Sequence, residues 1–110
     1  MIRPLPNRLL DIEVACAAIA EHMRRADEAP EDLVFDAVRI RLVEIGEAVK
    51  DIPPEVLVGE PTIPWGEIAR MRDHLTHRYF DTVHALVMNT ARTDIPRLAA
   101  AVQRLRQSGR

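Results

Sequence analysis

The segment from residue 72 to residue 79 holds side chains that could perform acid–base chemistry on a phosphate. Arg72 carries a guanidinium that is always charged and presents a planar fork matching phosphate oxygens. His77 carries an imidazole that gains or loses a proton near neutral pH, and Tyr79 adds the single phenol of the chain. Together these groups are typical of a phosphodiesterase that needs no metal ion.

Composition limits where such chemistry could operate. The chain has 110 residues, of which 47% are hydrophobic and 29% charged, which predicts one domain over residues 1–110. The net charge of −2 disfavours a globally basic nucleic-acid binder, so any site for a polyanion must be a local patch. Cys16 is the single cysteine, which excludes an intrachain disulfide or a multi-cysteine zinc site. Neither a run of about 18 apolar residues nor a secretory signal is present, so we expect a cytoplasmic protein without membrane contact.

Two long helices are predicted in the first half of the chain. Residues 5–25 place apolar side chains on one helical face, and a second helix should run from Pro30 to Lys50. The second helix has its own core stripe and a further apolar face on the far side, formed by Leu33, Ala37, Ile40 and Ala48. That further face predicts burial from two directions, either by another helix of the same bundle or by a partner subunit.

The second half of the chain is also predicted to be helical. Residues 51–64 are rich in proline and form a connection, with one short turn at residues 55–58. A third helix should run from Pro64 to about Phe80, and Asp81 could cap the fourth. Pro96 lies within the fourth pattern, so this helix should kink or divide there. We therefore predict an all-α fold, an antiparallel bundle of four to five helices.

The third predicted helix separates the jobs of its functional side chains. Asp73 and His77 fall on one outward side at a spacing that lets a carboxylate orient an imidazole or raise its pKa. Arg72 lies at the border of the core face, about 140° from His77 around the helix axis. Because this angle is wide for two groups meeting on one phosphate, a cleft between two subunits is favoured.

The Arg-x4-His spacing alone is a weak signal, since arginine and histidine frequencies in this chain give about half a match by chance. Ordinary explanations exist beside it. Arg72 could be an ion-pair partner of Asp73 or Glu67, and His77 a plain helix-end histidine. Arg41 and Glu44 are spaced for an intrahelical ion pair. The arginines from residue 92 to residue 110 could bind RNA or an acidic partner, or belong to a frayed, solvated end.

Three segments, in order along nearly the whole chain, are more specific. Ile45-Gly46-Glu47-Ala48, Ile63-Pro64-Trp65, and Met71-Arg72-Asp73 with His77-Arg78-Tyr79-Phe80 resemble the HepT-like branch of the HEPN superfamily. The resemblance implies an all-α homodimer that acts as a metal-independent endoribonuclease, the toxin of a toxin–antitoxin pair, without a cofactor. Arg72 and His77 would be the catalytic pair and Asp73 a supporting residue.

The resemblance also implies partners and a means of silencing. The antitoxin would be an MntA-type nucleotidyltransferase, which could form a larger hetero-oligomer with the dimer and would transfer AMP to Tyr79. RNA would supply its own 2′-OH as nucleophile, with His77 moving the proton and Arg72 binding the phosphate oxygens. The alternative is a non-catalytic helical dimer module that binds a nucleotide or the antitoxin.

Overall fold

The fold is all-α, as predicted. The computed structural model describes residues 3–76 and 80–108, and for residues 80–83 the backbone alone. Within these described residues six α-helices follow one another: α1 (Leu5–Arg24), α2 (Glu31–Lys50), α3 (Pro54–Leu57), α4 (Trp65–Thr76), α5 (Phe80–Asn89) and α6 (Ile95–Ser108). A 3₁₀ turn (Ala26–Glu28) precedes α2, and a π-helical turn (Thr90–Asp94) joins α5 to α6. No strand occurs among these described residues.

Helices α1 and α2 form an antiparallel hairpin at the centre of the bundle. The ion pair between Arg8 Nη1 and Asp51 Oδ2, at 2.7 Å, brings the beginning of α1 to the end of α2. Apolar residues at helical spacing face each other between them, and Ile12 and Val38 are completely buried. Each helix starts after a proline, at Pro4 and Pro30, whose fixed φ suits a helix start. The predicted bounds of both helices are thus confirmed to within one residue.

The proline-rich connection between α2 and α4 has little regular structure, but buried side chains anchor it to the bundle. Ile52 and Ile63 are buried at its two ends, and α3 supplies the single turn expected near residue 55. The indole N–H of Trp65 donates a hydrogen bond to the carbonyl oxygen of Glu60, which fixes the loop against the start of α4. Helix α4 ends at Thr76 among the described residues, and α5 begins at Phe80, one residue before the predicted cap at Asp81. The predicted single helix to Phe80 is therefore described only as far as Thr76.

The predicted interruption near Pro96 takes the form of a π-helical turn. Proline has no N–H to donate to the preceding turn, so the regular α-helical bonding pattern cannot continue through residue 96. The π-turn at Thr90–Asp94 widens the helix just before that point, and α6 starts at Ile95. Helix α6 then packs against α1, with Leu98 and Val102 fully buried.

The end of α6 is held to the rest of the bundle. Arg104 forms a bidentate contact with the carboxylate of Glu60, with an Nη2–Oε1 distance of 2.8 Å, and Arg106 pairs with Glu13 of α1. Leu105, between these two arginines, is buried. The prediction of a frayed, solvated C-terminal segment is therefore wrong through Ser108, because these contacts anchor it.

The second apolar face of α2 is not covered by another described helix. Leu33 is 60% exposed and Ile40 is 53% exposed, whereas Ala37 and Ala48 are half-buried. Burial of this face by a helix of the same bundle is thus wrong for Leu33 and Ile40, because α2 packs against α1, α4 and α5 and these contacts leave both side chains exposed. In the described segments, none of the helices is long and apolar enough to cross a membrane.

Candidate active site

The site is built at a tight contact between α2 and α4. Gly46 of α2 lies directly against Arg72 of α4. A Cβ atom added at Gly46 would be 2.8 Å from the Cβ of Arg72 and 3.1 Å from the carbonyl oxygen of Ile68. Because any larger residue would collide with the α4 backbone, glycine is what allows the two helices to meet at this point.

Four charged side chains gather around this contact. Arg72 pairs with Glu47 through Nε and donates from Nη1 to Asp73 Oδ1 at 3.2 Å. Lys50 Nζ donates to the same Asp73 oxygen at 3.3 Å. Two cations are therefore interleaved with two carboxylates, and we call Glu47, Lys50, Arg72 and Asp73 the charge cluster. The formal charges of these four side chains cancel.

Electrostatics within the charge cluster favour the ionised forms. The pKa of Arg72 is raised above its ordinary value, first by the hydrogen bond to Asp73 and then by the negative charge of Glu47. The pKa of Asp73 is lowered, first by the hydrogen bond from Arg72 and then by that from Lys50. All four side chains are partly exposed, so water and salt screen these attractions, and the cluster fixes geometry more than it adds stability.

A second contact holds the C-terminal end of α4 against α2. Arg39 Nη1 donates to the carbonyl oxygen of Leu75 at 2.9 Å, and Thr76 Oγ1 donates to the carbonyl oxygen of Asp73 at 3.1 Å. The described part of α4 is thereby tied to α2 near Leu75.

The structure brings together only part of the predicted site. Arg72 and Asp73 are adjacent and hydrogen-bonded, which matches one ordinary explanation of Arg72. The second carboxylate that pairs with Arg72 is Glu47 of α2 rather than Glu67 of the same helix, because Arg72 faces α2. His77 and Tyr79 lie outside the described residues, so their predicted roles stay predictions.

Two members of the charge cluster, Glu47 and Lys50, could not be assigned to the site from the spacing of charges along the chain. Their partners are 25 and 23 residues away in sequence, and ion-pair patterns read from sequence cover only the same helix. A signal was nevertheless present. Gly46 interrupts a strongly helical segment at a cost of about 1 kcal/mol relative to alanine, which marks a place of close helix approach.

Arg41, Glu44 and His84 have surroundings that need no catalytic explanation. Arg41 and Glu44 form the predicted intrahelical ion pair at 3.1 Å. His84 stacks on Phe35 with ring centroids 4.8 Å apart, and its Nε2 lies 3.7 Å from Glu31. Among the described side chains, no group of three or more histidine, cysteine or acidic residues could hold a metal ion.

Comparison with known proteins gives one consistent result. A family model described as ribonuclease HepT-like matches residues 12–105. The chain is 38% identical over 112 aligned residues to the probable ribonuclease HepT of Thermococcus cleftensis, covering 97% of this chain and 100% of that protein. It is 40% identical over 82 residues to a candidate RNase of Caldanaerobacter subterraneus subsp. tengcongensis, covering 70% of this chain and 73% of that relative.

The alignment with a third relative covers fewer residues. The chain is 42% identical over 67 residues to a candidate RNase of Methanocaldococcus jannaschii, which covers 60% of this chain and 58% of that protein. No solved structure matches the chain.

Proposed function

Because the chain belongs to the ribonuclease HepT-like family, we propose that it is a metal-independent endoribonuclease. The observation that carries the proposal is the position of Arg72, which is held between α2 and α4 with part of its side chain open to solvent. The two ion pairs engage its Nε and Nη1 atoms, and a guanidinium has five N–H groups. Arg72 can therefore keep both carboxylates and still donate to phosphate oxygens.

The proposed reaction needs only proton transfer and charge stabilisation from the protein. His77 removes the proton of the RNA 2′-OH, whose oxygen attacks the adjacent phosphorus. The bond from phosphorus to the 5′-oxygen breaks, and that oxygen takes up a proton. Arg72 stabilises the negative charge that develops on the non-bridging oxygens, and Asp73 supports the arginine. The product is a 2′,3′-cyclic phosphate, and DNA resists cleavage because it lacks the 2′-OH.

Cleavage assays in EDTA test this function. We expect the purified protein to cut RNA in the presence of EDTA and to leave the same sequence in DNA intact. His77→Ala should abolish cleavage, while the protein still folds. Strict dependence on an added metal ion would refute the proposed mechanism.

We further propose that the enzyme is the toxin of a toxin–antitoxin pair with an MntA-type nucleotidyltransferase. The antitoxin would silence it by transferring AMP from ATP to the Tyr79 hydroxyl, with cleavage of the bond between the α- and β-phosphates and release of pyrophosphate. Mass spectrometry of the co-expressed pair should find one or more AMP increments on the peptide containing Tyr79. An unmodified chain in a stable complex would instead indicate silencing by occlusion.

A homodimer is part of the same proposal. The exposed second face of α2, with Leu33 and Ile40, supports it, because large apolar side chains together on a helix face commonly mark an interaction surface. The wide predicted angle between Arg72 and His77 supports it as well, since a neighbouring subunit could complete the cleft. Light scattering of the purified chain tests this, and a monomer at all accessible concentrations would count against it.

One observation favours a second candidate, a non-catalytic module that binds a nucleotide or the antitoxin. Arg72 is already paired with Glu47 and Asp73, as expected for an arginine with a structural role. Growth of cells that express the chain alone separates the two candidates. Growth arrest that Arg72→Ala relieves supports the ribonuclease, whereas normal growth with no RNA cleavage by the purified protein supports the module.

A further inference from the structure

The buried and the exposed parts of the Arg72 guanidinium have different surroundings. Its Nε atom is buried and meets no acceptor with regular hydrogen-bond geometry, while 39% of the side chain as a whole stays exposed. A buried N–H group needs an acceptor, and Oε1 of Glu47 is the carboxylate oxygen beside it. The buried part of the guanidinium is therefore directed by Glu47, and the exposed part is available for a ligand.

The two carboxylates next to Arg72 are not equivalent. Asp73 is the following residue of α4 and reaches α2 only through Lys50, so it connects Arg72 to α2 less directly than Glu47 does. Glu47 belongs to α2 and connects Arg72 to a different helix. Asp73 also accepts from Lys50, which divides its charge between two cations.

The direction of Glu47 is itself well determined. Its neighbours along α2, Ile45 and Val49, are almost completely buried and set the rotation of the helix about its axis. Gly46 brings the α2 backbone against Arg72, so the glutamate side chain has to bridge only a short gap. A short bridge from a helix with a fixed rotation is what holding a flexible arginine requires.

We propose that Glu47 is a positioning residue, which holds the Arg72 guanidinium in place before RNA arrives. This inference rests on the proposed ribonuclease function and deepens it. Without Glu47 the arginine side chain samples several rotamers, and its contact with the charge developing on phosphorus is lost in most of them. A misplacement of about 1 Å can reduce a rate about 100-fold. We therefore expect the loss in kcat, with little change in KM.

The experiment measures kcat and KM for cleavage of one defined RNA by the wild type, Glu47→Ala and Glu47→Gln. Alanine removes the acceptor, so kcat should fall about 10- to 100-fold. Glutamine keeps an oxygen acceptor of nearly the same shape and should recover part of that loss. Glu44→Ala is the matched control, because Glu44 is also a half-exposed α2 carboxylate that pairs with an arginine, and its kcat should remain that of the wild type. The double variant Glu47→Ala/Arg72→Lys should have the same kcat as Arg72→Lys alone.

Other outcomes have clear meanings. An unchanged kcat with a lower KM for both Glu47 variants would show that Glu47 merely repels RNA, and would overturn the inference. Equal losses in Glu47→Ala and Glu44→Ala, with a lower unfolding midpoint in urea for both, would also overturn it.

A measurement that needs no activity keeps the two proposals separable. In the nitrogen-15 NMR spectrum of arginine side chains, the Nε–H signal of Arg72, identified by its loss in Arg72→Lys, should exchange slowly with solvent. Glu47→Ala should accelerate that exchange, and Glu44→Ala should not. If the wild type does not cleave RNA but this pattern holds, the ribonuclease proposal fails and the positioning contact stands. If exchange is equally fast in wild type and Glu47→Ala, the positioning role fails.

Discussion

A single arginine in this site is surrounded by charges that already neutralise it. Arg72 and Lys50 are balanced by Glu47 and Asp73, so attraction of RNA over a distance is not what the charge cluster provides. What remains is directional hydrogen bonding at short range. The planar fork of a guanidinium can offer several donors to one phosphate while keeping its carboxylates, which an ammonium group cannot do with the same geometry.

The first prediction follows from that difference and concerns Arg72→Lys. The variant keeps the positive charge but loses the fork, so kcat for RNA cleavage should fall about 100- to 1000-fold, as for other lost transition-state donors. Arg70→Lys is the matched control, because Arg70 is an exposed arginine on the same helix, and its kcat should stay within about twofold of the wild type. Full activity in Arg72→Lys would show that charge alone suffices.

At the scale of elements, the contact between α2 and α4 matters most. Gly46 lets the helices meet, and Arg39 binds the carbonyl oxygen of Leu75 at the end of α4. Helix α4 is thus held against α2 at two points, which lie about two helical turns apart along α2. This pair of helices acts as the frame on which Arg72 is mounted.

The second prediction tests that frame with Gly46→Ala. In a free helix, alanine would be favoured by about 1 kcal/mol. Here its methyl group would collide with α4, so we expect a net loss of about 1 to 3 kcal/mol in the free energy of unfolding. Gly66→Ala is the control, since a Cβ there meets only the end of Arg70 at 3.5 Å, and it should be neutral or stabilising. Denaturation in urea measures both, and a stabilised Gly46→Ala would contradict the close packing.

Local patterns predict this fold well because its helices have strong local signals. The apolar spacing and the proline starts give α1 and α2 to within one residue. The interruption near Pro96 is also predicted, although the π-turn that provides it is not, because the adjustment depends on how α6 packs on α1. The anchoring of the last helix by Arg104 and Arg106 depends on distant partners and could not be read from spacing.

The site is predicted less completely. The motif that begins at Arg72 indicates the chemistry, and the neighbouring Asp73 follows from the sequence itself. Glu47 and Lys50 reach the site only through the packing of α2 on α4, which no pattern within one helix reveals. The unfavourable glycine at residue 46 is the local trace of that packing.

The molecule as a whole has one continuous core, and Cys16 lies within it. Burial raises the pKa of this thiol to about 12, with a smaller contribution from the charge of Glu13. Nucleophilic attack requires the thiolate, so the folded protein should protect Cys16 both sterically and electrostatically.

The third prediction concerns alkaline pH. The unfolded thiol has a pKa near 9.0 and the folded thiol one of about 12, so the contribution of Cys16 to stability is fully present below pH 9. Above pH 9 only the unfolded form loses its proton, and stability should fall by up to about 1.4 kcal/mol per pH unit until pH 12. Urea unfolding of wild type and Cys16→Ala at several pH values measures this, since the alanine variant should show a shallower decline. Parallel curves would contradict the shifted pKa.

The fourth prediction concerns assembly. If the exposed face of α2 forms the proposed homodimer, Ile40→Glu should bury a charge there and shift the protein towards the 12.5-kDa monomer. Helical content should remain unchanged, since Ile40 is outside the core. Val58→Glu is the control, because Val58 is exposed but lies after α3. Light scattering distinguishes the two, and a dimer that persists in Ile40→Glu would place the interface elsewhere.

The indole at the start of α4 gives the protein a built-in optical probe. Trp65 is the single tryptophan of the chain and is half-buried, so the tryptophan fluorescence comes from one place. It lies seven residues before Arg72 on the same helix, about 10 Å along the axis. Its emission depends on the hydrogen bond to Glu60 and on solvent access. A ligand that tilts α4 when it binds Arg72 should therefore change the wavelength or the intensity of the Trp65 emission, so binding can be followed without a label.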